Sequence, residues 1–339
     1  MIIGFGAFDP SSKRIYDYSL DGKEVTVVSA KNISPYLVEG NDTTVTKRTK
    51  ALADIPEMRC GNKPSDGGHL LLDEDERQEL INTAPSSEKF LRKFIGSQEF
   101  INGSYRWCLW LKDAAPSELR AIPGIMRRVE QVREFRLEST AEPTRQAADT
   151  PALFFFISQP STHYIAIPEV SSERRKYIPI GYLPPKVVPS NKLYIIAEPS
   201  LYLFGVLQSA MHMAWMRQVA GRLESRYQYS GAIVYNTFPW PEAPSDKQRA
   251  AIEEAAQAVL DARKEFPGAS LADLYDPLAM PPALVKAHAD LDRAVDRCYR
   301  PQPFETDRQR VEHLFALYEK LTAPLLPAAK KSRRIPRSK

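Results

Sequence analysis

The sequence predicts an α+β protein, a mixed β-rich region with interspersed helices followed by a small all-α helical bundle. Short runs of β-branched and aromatic residues recur up to about residue 197, divided by Pro and Gly turns. Phe238-Pro239-Trp240-Pro241 ends that part, and beyond it apolar residues fall at three- and four-residue intervals. With 339 residues, 43% hydrophobic and 26% charged, the chain is long enough for two domains, each burying its own core.

In order along the chain, residues 2–8, 14–18 and 25–30 read as strands, separated by turns at Asp9-Pro10 and Asp21-Gly22. Three strands without a helix cannot close a core, so they look like the end of a larger sheet. Residues 31–69 are polar and rich in Gly and Pro, a connection with little regular structure, and Asp66-Gly67-Gly68-His69 suits a tight turn in which glycine permits positive φ. Acidic residues 73–76 mark a helix start, where negative charge meets the macrodipole. Ser86 or Ser87 caps a second helix to about Gly96. Residues 105–111 alternate as a strand, and a helical region from Ser117 is interrupted by Pro123 and continues to about Phe135. Further strands fall at 152–158, 163–168 and 192–197, and one helix runs from Ser200 to about Gly221 with Leu203, Leu207, Met211 and Trp215 on its face. That spacing makes His212 and its neighbours core residues. Capping boxes at Ser245-x-x-Gln248 and Thr306-x-x-Gln309 start two of three amphipathic helices, and the third spans about 282–299. No internal repeat is visible, and the tail from Ala328 is basic and expected to be disordered.

The net charge of +4 is unevenly placed. Residues 330–339 hold six Lys/Arg and no acid, which leaves 40 basic against 42 acidic side chains elsewhere. Within the remainder, residues 120–228 carry 14 basic and 9 acidic groups, so a polyanion would sit there. Cys60, Cys108 and Cys298 are scattered, with no zinc-like pair, which fits a reducing cytosol. The apolar start, residues 1–8, lacks a basic lead and reads as a buried strand rather than a signal peptide. The most apolar stretch, 193–216, contains Glu198 and Pro199, which argues against a membrane span. A cytoplasmic location is expected.

Seven runs in order carry a resemblance. They are Asn32-Ile33-Ser34-Pro35-Tyr36-Leu37, the stretch from Gly61-Asn62-Lys63-Pro64-Ser65-Asp66 to Leu72, and Phe100-Ile101-Asn102-Gly103 with Arg106-Trp107-Cys108-Leu109-Trp110. Then come Ser171-Ser172-Glu173-Arg174-Arg175-Lys176-Tyr177-Ile178-Pro179, Gly205-Val206-Leu207-Gln208-Ser209, Arg226-Tyr227-Gln228-Tyr229-Ser230 and Tyr235-Asn236-Thr237-Phe238-Pro239-Trp240-Pro241. Together they resemble the C-terminal part of MmeI-like, Type IIL single-chain restriction–modification enzymes, over residues 1 to about 325. The resemblance implies that 1–30 are terminal strands of a methyltransferase sheet and 31–69 a connecting segment. It implies a DNA target-recognition domain over 70–241, a C-terminal helical domain over 242–325 and a basic tail over 326–339. It also implies that the complete enzyme transfers a methyl group from S-adenosylmethionine to adenine N6 at a specific double-stranded site.

The chain departs from a complete methyltransferase. An adenine-specific enzyme needs a [DNS]-Pro-Pro-[YF] loop to hold the flipped base, and no Pro-Pro-Tyr or Pro-Pro-Phe occurs. Ser34-Pro35-Tyr36 lacks a proline, while Pro184-Pro185-Lys186 and Pro281-Pro282-Ala283 lack the aromatic. Gly4-Phe5-Gly6 has neither the preceding strand nor the following helix of a cofactor loop. No cofactor, metal or catalytic residue is therefore expected in this chain, which should bind DNA without methylating or cutting it unaided. The partners expected are double-stranded DNA and a methyltransferase catalytic domain, in cis or in trans.

Duplex reading needs side chains at base edges, Arg on guanine above all, with small polar groups on phosphate. Ser171, Ser172, Arg174, Arg175 and Lys176 offer both in one loop, unless Glu173 pairs the arginines internally. Arg133, Arg136, Ser139, Thr140 and Arg145 close a helix and could enter a groove, or form a solvated helix face. Arg222, Arg226 and Tyr227 could contact backbone, and His163 and Tyr164 could reach bases. Phe238 and Trp240 could stack on a base or form a rigid hinge. Three readings stay open: a separate DNA-recognition module, a piece of a complete methyltransferase/endonuclease, and a helical protein–protein scaffold without a DNA role.

Overall fold

A computed structural model describes residues 10, 12–18 and 23–323. The strand expected at 2–8, the turn at Asp21-Gly22 and the basic tail lie outside the described residues. The architecture is mixed α+β, with several sheets followed by helices.

β1 (Lys13–Tyr18) and β2 (Val25–Ala30) pair antiparallel as a two-stranded sheet, Lys13 opposite Ala30 and Tyr18 opposite Val25. Tyr16, Tyr18, Val25 and Val27 are each about half exposed, from 48% to 65%. The stretch expected to be irregular, 31–69, supplies β3 (Met58–Cys60) and the turn where Gly67 and Gly68 take φ of +65° and +92°, and β4 (Leu71–Leu72) follows it. α1 (Glu74–Thr83) begins in a reciprocal capping box between Asp73 and Glu76.

The helix expected over 87–96 is not formed. A 3-10 turn, Pro85–Phe90, leads into β5 (Leu91–Ile95), which lies between two neighbouring strands, and that pairing outweighs local propensity. Next come α2 (Ser97–Asn102), β6 (Arg106–Leu109), α3 (Pro116–Arg120), α4 (Pro123–Leu137) and α5 (Glu142–Gln146). Pro123 opens α4 rather than interrupting a longer helix, since a first-turn residue needs no N–H partner. The strand expected at 152–158 reduces to one bridge between Lys63 and Phe156.

β7 (Tyr164–Pro168), β8 (Val170–Ser171), β9 (Gly181–Leu183), β10 (Val188–Pro189) and β11 (Leu193–Ile196) follow. The single helix expected from Ser200 is two, α6 (Leu201–Leu207) and α7 (Ala210–Val219), because Ser209 caps the second by accepting from His212 N. β12 (Gly221–Leu223) and β13 (Arg226–Gln228) form a hairpin. The rest is helical: α8 (Asp246–Lys264), α9 (Leu271–Leu274), α10 (Pro282–Tyr299) and α11 (Asp307–Thr322). The Ser245 capping box forms as expected. At Thr306 only half of it does, because Gln309 Oε1 accepts from Glu305 N instead of Thr306 N.

The strands build sheets in the orders β10-β5-β6-β4, β3-β11-β7-β9 and β12-β13-β8. The apolar interior does not divide at residue 241. One cluster joins Leu70, Phe94, Leu109, Ile125, Val132 and Phe154. The larger one runs from Ile165 through α6 and α7 into α8, α10 and α11, so the C-terminal helices share a core with the residues before the Pro-rich hinge. Trp215 lies 5.1 Å from Phe315 and 5.6 Å from Tyr318 between ring centroids. Gly205 lets α6 approach closely, since a Cβ there would stand 2.7 Å from Ile252 Cγ2 and 3.1 Å from Ala256 Cβ.

Candidate nucleic-acid interface

The sheet β12-β13-β8 carries the exposed cationic face. Leu223 pairs with Arg226 across a two-residue turn, Glu224-Ser225, in which Glu224 takes φ +58°, an uncommon conformation for a residue with a side chain. Residues 221–225 are all exposed. The Arg222 guanidinium lies 3.9 Å over the Tyr227 ring and donates from Nη1 to Ser225 O at 3.2 Å. Arg226 Nη2 meets the Glu224 carboxylate at 2.9 Å. Exposed pairs of this kind contribute less than about 1 kcal/mol, so Arg226 can exchange Glu224 for another anion at little cost, and Arg222 has no ion-pair partner among the described residues to give up.

Beside the hairpin, β8 pairs Ser171 with Tyr227 and leads into the Ser-Glu-Arg-Arg-Lys loop. Ser172 Oγ accepts from Arg174 N at 3.2 Å and Ser172 O from Arg175 N at 3.3 Å, a local turn that leaves Glu173, Arg174 and Lys176 exposed. Arg175 is half-buried, and desolvation holds its guanidinium below the usual range while the Asp276 charge opposes that shift. No ion pair joins Glu173 to the arginines among the described residues, so the internally paired loop is not what forms. Ser171 is 3% exposed and turned inward, a correction to its place among the surface candidates. Its neighbour in sequence, Ser172, keeps partial exposure.

The second candidate group belongs to another core and divides within itself. Arg136 is 0% exposed. Its guanidinium donates to five backbone carbonyls: Ser65 at 3.0 Å, Ala147 at 2.9 Å, Thr150 at 3.1 Å, Pro64 at 2.9 Å and Leu153 at 2.7 Å. It holds three chain segments together and presents nothing to a duplex, which removes it from the expected contacts. Burial lowers its pKa, with Asp66 opposing. Arg133 is exposed and 3.7 Å from Glu130. Arg145 donates to Ser139 O at 2.8 Å and pairs with Glu142, Ser139 Oγ accepts from Ala141 N, and Thr140 is exposed. His163 is exposed just ahead of β7.

Phe238 and Trp240 are buried, with ring centroids 5.4 Å apart, so they belong to the core shared with the C-terminal helices and not to a stacking surface. His212 is buried at 1% exposure, its Nε2 3.0 Å from the Tyr229 hydroxyl, and burial pushes its pKa down to about 3. Sequence reasoning missed two contributors, Glu224 as the partner of Arg226 and Arg217 behind the loop, and it took Tyr227 for a backbone contact, whereas the ring is buried as the platform under Arg222. Among the described residues no cluster of three His, Cys, Asp or Glu could hold a metal, and no helix is long and apolar enough to cross a membrane.

A β-rich scaffold that presents an arginine hairpin and an arginine loop from one sheet, backed by a helical unit, is the build of a target-recognition domain. Residues 39–242 match the family model of the MmeI target recognition domain, and residues 243–326 that of the MmeI C-terminal domain. The chain belongs to the MmeI family. It is similar to a Bacillus subtilis (strain 168) protein named DNA methyltransferase A, with 42% identity over 322 residues, covering 95% of this chain and 36% of that protein. It is also similar to the Type IIL restriction-modification enzyme MmeI, solved in complex with DNA, at 50% identity and a TM-score of 0.86, covering 93% of this chain and 42% of that one. The chain thus spans well under half the length of both relatives.

Proposed function

We propose that this chain is the sequence-recognition part of a restriction–modification adenine-N6 DNA methyltransferase. In this reading Arg174, Arg222 and Arg226 meet base edges and the phosphates beside them, with Ser172, Lys176 and the partly exposed Arg175 on phosphate alone. The observation that carries the reading is the likeness to MmeI, solved in complex with DNA, along nearly the whole chain. The placement of Arg222 and the partly exposed Arg226 on the three-stranded sheet whose strand β8 leads into the Arg174 loop supports it. A guanidinium flanked by a carboxylate, as in Arg226 with Glu224, offers donors for guanine and an acceptor for cytosine N4. Arg133, Thr140, Arg145 and His163 are proposed as outlying contacts of lesser weight.

The catalytic domain and its S-adenosylmethionine belong, in this reading, to the remainder of a longer enzyme. The half-exposed Tyr16, Tyr18, Val25 and Val27 of the β1–β2 ribbon are its proposed seat, because a lone two-stranded ribbon is marginally stable in water. The test is duplex binding in a salt titration. Replacing Arg174, Arg222 and Arg226 together with Ala should weaken binding at least tenfold. It should also flatten the log–log salt slope by about 1 to 3, roughly one for each phosphate that no longer meets a cation. An unchanged slope and affinity would refute the assignment of this face.

A further inference from the structure

The loop 171–176 ends at Tyr177, and there it meets the C-terminal helices. Tyr177 is 1% exposed, although it directly follows exposed Lys176. Its hydroxyl donates to Asp292 Oδ2 on α10 at 2.6 Å. The other carboxylate oxygen accepts from Ala210 N, in the first turn of α7, at 2.7 Å. The Tyr177 ring stacks on His288 of α10, 4.0 Å between centroids and 19° from parallel. His288 Nε2 lies 2.8 Å from the Tyr275 hydroxyl, which accepts from Arg263, and Arg263 Nη1 reaches back to Ile180 O at 2.7 Å. One residue earlier, Lys176 O accepts from Arg217 Nη2 at 2.7 Å, while Arg217 Nη1 is held by Asp307 of α11 at 2.6 Å. Asp276, from the segment between α9 and α10, supplies the charge facing Arg175.

Residue 177 is therefore tied directly to α10, residue 176 is tied to α11 through Arg217 of α7, and Arg175 feels the Asp276 charge, whereas the other end of the loop is held by the two-residue strand β8. Asp292 is 9% exposed and has no ion-pair partner among the described residues. The Lys176 and Arg310 charges act on it without forming an ion pair, and burial outweighs them and keeps its carboxyl above the ordinary aspartate range, so it is a poor device for stability. Its two accepted hydrogen bonds run to the recognition loop and to α7, so what it accomplishes is orientation. Direct readout depends on donors held in fixed geometry against base edges, and a loop anchored at one end only would sample many.

We propose that Asp292 is a positioning residue for DNA recognition, acting through Tyr177, and that the C-terminal domain is the frame on which loop 171–176 is set. This rests on the reading that the loop meets DNA. It predicts that recognition domains cannot be exchanged between relatives at the hinge alone, because half of the loop's anchorage lies beyond it.

The test compares Asp292→Ala, Asp292→Asn and Tyr177→Phe in the full chain, using two readouts. The first is amide hydrogen exchange at residues 171–177. The second is affinity for a duplex selected by the unmodified chain from a randomised pool, measured against an unselected duplex. Asp292→Ala should raise exchange across the loop and cut the selected-to-unselected ratio about tenfold, the value of one misplaced bidentate pairing, with unselected affinity and salt slope unchanged. Asp292→Asn keeps an acceptor for Ala210 N and a donor for the Tyr177 hydroxyl, and should retain most of the ratio. Tyr177→Phe removes one bond without opening a cavity and should lower the ratio severalfold, so it serves where the Ala variant does not fold. Loop exchange and ratio both unchanged in a folded Ala or Phe variant would overturn the proposal, as would a parallel loss of selected and unselected binding. Faster exchange with an unchanged ratio would retain the anchor but refute the loop's part in reading DNA. Failure of the unmodified chain to select any duplex would instead refute the proposed function, and exchange would still decide whether Asp292 anchors the loop.

Discussion

Arg136 at the end of α4 and Arg222 on β12 are alike in sequence, each the first residue of an Arg-Leu-Glu-Ser run in the basic third of the chain. In the fold Arg136 is fully buried with its donors on five carbonyl oxygens, while Arg222 lies exposed across a tyrosine ring. The first closes a gap between segments 64–65 and 147–153, where backbone acceptors would otherwise lack donors. The second has one carbonyl and a π face to hold its orientation, and its remaining donors face solvent. The difference teaches that arginine at a boundary between core and surface is assigned by the acceptors around it and not by local charge. A guanidinium surrounded by carbonyls is architecture, and one resting on an aromatic ring is available to a ligand.

The largest way to break this comparison is Arg136→Ala. It strands several buried carbonyls and should cost about 4 kcal/mol, enough to lower Tm by roughly 6 °C. Arg136→Lys should not recover it, because one ammonium cannot span the fork. A change below about 1 kcal/mol in thermal or urea unfolding would show that Arg136 is not a structural clamp.

A second test concerns the other buried polar groups. Burial holds His212 down to about 3 and His288 well below the ordinary histidine value, so both are neutral when folded and take a proton on unfolding below about pH 6.5. Their contribution is fully present above that pH and is lost as pH falls. Between pH 7.5 and 5.5 the two together should remove about 3 kcal/mol. Asp292 has the opposite sign, since burial raises its carboxyl above the ordinary aspartate value, and it recovers some stability as the pH falls toward its own range. Urea midpoints in that window that do not fall would contradict the buried, neutral state of these rings.

Gly205→Ala probes the shared core with a smaller effect. The added methyl meets Ile252 and Ala256 at under 3.2 Å, and overpacking of this kind costs about 1 to 3 kcal/mol. Because α6 and α8 share one cluster, unfolding of this variant should remain a single transition followed by fluorescence. A separate early transition of the C-terminal helices would split the core described here. Smallest of all, Arg222→Ala and Arg174→Ala should leave stability within about 0.5 kcal/mol, so any loss of duplex affinity in these variants belongs to the interface.

Most helices are legible because their signals are local. Ser245 and Thr306 cap helices as their spacing indicates, the acidic run from Asp73 starts one, and apolar residues at three- and four-residue intervals mark the faces of α8, α10 and α11. The Gly67-Gly68 turn is legible for the same reason. The exposed cationic face is partly visible, since the Ser-Glu-Arg-Arg-Lys run and Arg222 and Arg226 stand out as separate segments. Their juxtaposition is not, because β8 and β13 pair across more than fifty residues of sequence. β5 has the local pattern of a helix, and its extended form follows from strands that come from residues 106–109 and 188–189.

By itself the sequence determined the class of fold, the helical third and its caps, the basic middle of the chain and the family to which it belongs. Those follow from propensity, periodicity and motif, which act within a few residues. Tertiary structure decided which arginine is a clamp and which is free, where the core divides, and that the recognition loop is anchored from beyond the hinge. Each of these depends on burial and on acceptors contributed by distant segments, and no local pattern encodes them.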